Sequence, residues 1–124
     1  MRVEIMGIPF DNVTMDEALD AAMRLLEQPG AAYGVTPNSE IAYETLNDSA
    51  LREMICQADL ILPDGAGVVL GAKILGTPLR EKVAGIDFAQ NLMARLEHTE
   101  KSFYFFVSKP GVAETAADKL HEKY

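Results

Sequence analysis

Residues 59–76 read DLILPDGAGVVLGAKILG, and this pattern decides the fold class. Leu60-Ile61-Leu62 is a continuous apolar run of the kind found in strands buried on both faces. Pro63-Asp64-Gly65-Ala66-Gly67 turns the chain, and residues 68–75 follow as an oily helix with one charge, Lys73, ended by Gly76. A strand–turn–helix order puts Asp64 at the carboxyl end of a strand, where open α/β sheets bind ligands. The residue type leaves two readings open. Asp-Gly is a common turn pair and Asp a common helix cap, and taken alone this is the stronger reading. A partly desolvated carboxylate facing a cleft also serves as a general base toward a hydroxyl, or holds a ribose or metal.

The same order extends in both directions. Val3-Glu4-Ile5 alternates as a half-exposed strand does, and Ile8-Pro9-Phe10 continues as a second short strand, with Pro9 favouring an edge. Thr14 and Glu17 have capping-box spacing, and Met15, Ala18, Leu19, Ala22, Leu25 and Leu26 form one apolar stripe stopped by Pro29-Gly30. Residues 31–35 predict a second main strand. It ends at Thr36-Pro37-Asn38, where Pro37 disfavours helical geometry for Thr36. Asn38 or Ser39 caps a helix over 40–46, and Asp48 or Ser49 caps another with Leu51, Met54, Ile55 and Ala58 on one face. Residues 77–85 form a loop, and 86–97 a helix aligning Phe88, Leu92 and Leu96. Residues 103–107, FYFFV, form a continuous apolar strand. Pro110 takes the first position of a last helix whose buried face is Val112, Ala113, Ala116, Ala117 and Leu120. Strands alternating with helices predict an α/β fold, Rossmann-like, with a mostly parallel sheet and helices on both faces.

The 124 residues fit a single domain, 1–124, able to bury roughly 65% of the surface its unfolded chain exposes. A net charge of -8 argues against nonspecific nucleic-acid binding and against adsorption to anionic membranes. Cys56 is the one cysteine, so no internal disulfide forms, and no CxxC or HxxxH pair suggests zinc. The N-terminus has no signal-peptide core, and no apolar run reaches membrane-spanning length, so the expected location is cytoplasmic.

Three polar clusters fall at predicted strand ends: Thr36-Pro37-Asn38, Pro63-Asp64-Gly65 and Ser108-Lys109-Pro110-Gly111. Thr36 and Asn38 offer a hydroxyl and an amide to a sugar or phosphate, with helix capping an equally good role for Asn38. Gly65 and Gly67 let a ligand approach the backbone near a helix start, although they match neither GxGxxG nor the phosphate loop. Arg80 and Lys82 are candidates to hold a diphosphate, against the ordinary alternative of solvent exposure. Gly85 and Asp87 shape the next helix start. Ser108 and Gly111 frame a phosphate cradle or a plain strand-to-helix turn. Cys56, His98 and His121 read as packing or solvated residues.

The order of these clusters resembles the N-terminal half of the WecG/TagA/CpsF family of bacterial glycosyltransferases. The matching stretches are IMGIPFDNVTMDEAL, VTPNSEIAYETLND, ADLILPDGAGVVLGAKILGTPLREKVAGID and FYFFVSKPGVAETAADKL, which cover nearly the whole chain. The resemblance implies an inverting enzyme without a metal or other cofactor. It would move an N-acetylmannosamine-type sugar from a UDP donor to a polyprenyl-diphosphate-linked GlcNAc, in cell-wall teichoic acid or other surface polysaccharide synthesis. It implies Asp64 as the catalytic base, with Thr36 and Asn38 in the same pocket. Lys82 falls where the family usually has Arg in an RVxG motif, which keeps the charge and loses the bidentate fork. Ser108 stands where many members have Gly in a GGxPGVAE-like segment.

Family members are about twice as long as this chain, beyond the usual size of a small single domain. The expectation is therefore a truncated product, the N-terminal part of a longer glycosyltransferase domain. Its missing half would complete the sheet and contact the inner face of the cell membrane. The alternative is a non-catalytic UDP-sugar-binding or assembly domain of the same fold. The oily helix over 68–75 and any uncovered strand edge would favour a homo-oligomer.

Overall fold

Met6 and Gly7 both have positive φ, 54° and 82°. That pair makes the two-residue primed turn that suits a right-twisted hairpin. The turn joins β1 (Arg2–Ile5) to β2 (Ile8–Asp11) in an antiparallel pair, Val3 opposite Phe10 and Ile5 opposite Ile8. A side chain on Gly7 would run into the Arg52 guanidinium, whose Nη2 donates to the Met6 carbonyl at 3.2 Å. The computed structural model describes residues 2–104, 106 and 110–124.

The chain continues through α1 (Met15–Glu27), β3 (Gly34–Val35), α2 (Ser39–Glu44), α3 (Ser49–Cys56), β4 (Leu60–Ile61), α4 (Ala66–Ile74), α5 (Gly85–Arg95) and α6 (Val112–Lys123). It divides into two compact units, Met1–Ala89 and Gln90–Tyr124. The fold is mixed α/β.

Local chemistry sets the helix starts of the first unit. Thr14 and Glu17 form the reciprocal capping box, with the Thr14 amide donating to Glu17 Oε1 at 3.0 Å and the Glu17 amide to Thr14 Oγ1 at 3.3 Å. Asn38 Oδ1 accepts from the Ile41 amide and Asp48 Oδ1 from the Leu51 amide, both at 3.0 Å, starting α2 and α3.

β3 and β4 pair in parallel, Gly34 opposite Leu60 and Val35 opposite Ile61. Ile61 packs into the larger apolar cluster with the hairpin, Ile55, Val68 and Ala72. Leu62, one residue on, packs into a second cluster with Ala18 and Val83, against which Met15 and Phe88 also pack. Alternating side-chain direction along an extended chain thus feeds two cores.

The described residues restrict the expected parallel sheet to this pair. The strand predicted over 31–35 keeps only Gly34–Val35, because Asp59 captures the chain just before it. The Tyr33 amide donates to Asp59 Oδ2 at 3.0 Å, so a carboxylate replaces a ladder carbonyl. On the far side of β4, the Ile61 amide donates to Asp11 Oδ2 at 2.8 Å, and the Val83 amide to the Pro63 carbonyl at 2.8 Å. Asp11 Oδ1 also accepts from Arg2 Nε at 2.9 Å. Asp11→Ala is expected to cost about 1.5–3 kcal/mol, since it orphans a part-buried amide and a charged partner. A fall in urea midpoint with unchanged slope would show it.

The second unit departs further from expectation. Phe103, Tyr104 and Phe106 lie in no strand, and Tyr104 and Phe106 are 88% and 92% exposed, while Phe105 and Val107 lie outside the described residues. An apolar run reads as a buried strand only where neighbours cover it. Pro110 sits in a turn, and α6 starts two residues later behind Gly111, whose φ of 84° a proline cannot adopt. The α6 face of Ala113, Ala116, Ala117 and Leu120 is half-buried, and Val112 is exposed. Leu26 and Met54, expected in apolar stripes, are also exposed.

Candidate functional site

The carboxyl ends of β3 and β4 lie side by side, so the segments that leave them share one place. The Leu62 amide donates to the Val35 carbonyl at 2.9 Å and extends the register to the strand ends. Thr36 follows β3 half-buried, and Asp64 leaves the β4 segment half-buried behind the fully buried Pro63. The Val83 bond to Pro63 lays residues 83–85 along the other side of this turn.

Asp64 is anchored from that side. Its Oδ2 accepts from the Gly85 amide at 3.2 Å, across 21 residues of sequence. Gly65 has a φ of 98°, which favours glycine, and begins α4 with no side chain capping its first amides. Uncapped helix starts of this kind commonly receive anions.

Glycines also set the spacing of the segments. A Cβ on Gly85 would stand 3.0 Å from Thr36 Oγ1 and 3.1 Å from Thr36 Cγ2. A Cβ on Gly67 would stand 2.9 Å from Ser39 Oγ, and one on Gly65 3.8 Å from Asn38 Cβ. Thr36, Asn38, Asp64, Gly65, Gly67 and Gly85 are therefore one cluster. Gly85→Ala is expected to destabilise by about 1–3 kcal/mol through overpacking. Thr36→Ala should recover most of that loss, and a double-mutant cycle in urea measures the coupling.

The cationic loop is divided. Arg80 Nη1 pairs with Glu17 Oε1 at 2.6 Å, and its amide donates to Asn12 Oδ1 at 2.8 Å. Glu81 Oε1 accepts from the Met15 amide at 3.4 Å. Arg80 is thus held at the start of α1, a partnership between segments 68 residues apart that local spacing does not announce. Lys82, next to Val83, is exposed, and Asp87 lies exposed in the first turn of α5. Gly111 belongs to the second unit, and Ser108 lies outside the described residues.

Glu17 is held below the usual carboxylate range, first by the Thr14 amide and then by Arg80. A lowered folded pKa means that its contribution is present above the ordinary glutamate value and lost as pH falls through the lowered one. Acidification through that window should loosen the 80–81 segment from α1. Amide shifts of Met15, Arg80 and Glu81 that move together with falling pH would report it.

Cys56 is half-buried and its thiol donates to the Gly7 carbonyl at 3.6 Å, a packing role. Among the described residues no group of three or more His, Cys, Asp or Glu is gathered to hold a metal ion, and no helix is long and apolar enough to cross a membrane.

The fold is mixed α/β, with Thr36, Asp64 and the uncapped start of α4 at the adjoining carboxyl ends of a parallel strand pair, the place where open α/β sheets commonly bind ligands. The glycosyl transferase WecG/TagA/CpsF family model matches residues 3–124, and the chain belongs to that family. Relatives that carry the name N-acetylglucosaminyldiphosphoundecaprenol N-acetyl-beta-D-mannosaminyltransferase include proteins of two Bacillus species and of Staphylococcus aureus. The Bacillus spizizenii protein is 36% identical over 91 residues, covering 73% of this chain and 35% of that protein. The Bacillus subtilis protein is 26% identical over 121 residues, 97% of this chain and 47% of the relative. The Staphylococcus aureus NCTC 8325 protein is 27% identical over 125 residues, 99% and 49%. The chain thus spans about half the length of these relatives, or less.

Proposed function

We propose that this chain is the N-terminal part of a Rossmann-like glycosyltransferase domain. That domain moves an N-acetylmannosamine-type sugar from UDP to a GlcNAc carried on a polyprenyl diphosphate, at the inner face of the cell membrane. The observation that carries the reading is the half-buried Asp64 carboxylate at the strand end, with one oxygen held by the amide of Gly85, the residue against which Thr36 also packs. Such a carboxylate takes the proton of an acceptor hydroxyl as its oxygen bonds to the anomeric carbon. The bond from that carbon to the UDP oxygen breaks, UDP leaves with the electron pair, and the configuration inverts.

The remaining residues divide the work of binding. The uncapped start of α4 at Gly65 and Gly67 faces a diphosphate, and exposed Lys82 supplies a cation to the same anion. Thr36 and Asn38 orient the sugar, with Asn38 also committed to capping α2. Gly85 and Asp87 set the start of α5. Arg80 acts at one remove, fixing the loop that carries Lys82 through its pair with Glu17.

The test is transfer from UDP-N-acetylmannosamine to a short-chain prenyl-diphosphate-GlcNAc, followed by separation of labelled product. UDP-sugar-dependent product formation is the expected result. Binding of UDP without any product would favour the second role, a sugar-nucleotide-binding half that assembles with a partner. Absence of both would sink the proposal.

A further inference from the structure

A groove of about 260 Å³ opens in the first unit between α4 and the hairpin. Its walls include Ile5, Met6, Phe10, Val68, Ile74 and Leu75, and no charged side chain lines it. Gly67 belongs to the groove and also to the strand-end cluster, and Ser39, which packs against it, lines the groove as well. The groove therefore begins where the Asp64 turn ends, and follows α4 for up to about 14 Å at the rise of a helix.

Two further features suit a ligand. Gly67, Gly71 and Ile74 share one face of α4, at helical spacing. A Cβ on Gly71 would meet nothing within 4 Å, so packing within the chain does not demand glycine there, although glycine weakens a helix. α4 also leaves Leu70, Ile74 and Leu75 exposed by 58%, 76% and 62%.

We propose that this groove holds the first isoprenoid units of a prenyl-diphosphate acceptor, with the diphosphate at the start of α4. The proposal rests on the strand-end cluster as the transfer site and adds where the lipid runs. The acceptor named for the relatives joins a sugar diphosphate to an apolar prenol. The polar cluster and the apolar groove meet at Ser39 and Gly67 in that same order. An uncharged, apolar lining matches a hydrocarbon chain.

The test uses the full chain titrated by calorimetry with farnesyl diphosphate, inorganic diphosphate and, separately, UDP. Farnesyl diphosphate should bind at least about tenfold more tightly than inorganic diphosphate, as burial of several methylene groups requires. Gly71→Leu fills the groove from a helix position with open space, and should remove that advantage while UDP affinity stays unchanged. Met6→Asn, at a left-handed position that Asn tolerates, should weaken it from the opposite wall. Circular dichroism of both variants checks that they fold.

Equal farnesyl diphosphate affinity in the parent and both folded variants overturns the proposal. So does a dimer that Gly71→Leu disperses without any farnesyl advantage, which would assign the groove to a second copy. UDP binding without a prenyl advantage removes the groove assignment and leaves the transfer site standing. A groove-dependent prenyl advantage without UDP binding supports the lipid groove and removes the UDP donor site instead.

Discussion

Asp64→Asn should lower sugar transfer in the proposed reaction by about 10²–10⁴-fold, the usual contribution of a positioned general base. The substitution keeps the shape of the side chain. Its amide oxygen can still accept from the Gly85 amide, the bond that anchors the turn at 3.2 Å. What disappears is the basic oxygen that takes the acceptor proton. UDP affinity and melting temperature should therefore hold while the rate falls, separating a chemical role from a structural one. Transfer at the parent rate in Asp64→Asn would remove this residue from the base role.

Phe10→Ala should have the largest effect on stability, about 3–5 kcal/mol. Phe10 is fully buried on β2, opposite Val3, in the cluster that also holds Ile61, Val68 and Ala72. No neighbour can collapse freely into the vacancy, because the hairpin is held by its tight turn and by Asp11 on the Ile61 amide. Against a total stability of about 5–15 kcal/mol, the loss would leave much of the chain unfolded at modest urea concentration. The check is a urea titration by circular dichroism, with a midpoint near the parent value counting against the cluster's role.

Much of the local structure was legible because its causes are local. The Thr14–Glu17 capping box, the Asn38 and Asp48 caps and the strand–turn–helix order around Asp64 each depend on residues a few positions apart. Strand lengths were less legible. Apolar runs over 31–35 and 103–107 looked like full strands, yet the first keeps only Gly34–Val35, and Phe105 and Val107 of the second lie outside the described residues. At 31–33 the Asp59 carboxylate intercepts the Tyr33 amide. Tyr104 and Phe106 remain exposed and outside any strand.

The candidate site divides along the same line. Sequence by itself determined that Asp64 follows an apolar strand, that glycines flank it, and that the motif order resembles one family, which the family model matches over residues 3–124. Only tertiary structure decided that the Gly85 amide holds the carboxylate, that Thr36 packs on Gly85, and that Arg80 turns to Glu17 at α1. Caps and turns are closed by bonds within a few residues, so the local pattern carries them. Contacts across 21 or 68 residues depend on how the strands and helices stack, which a local pattern does not encode.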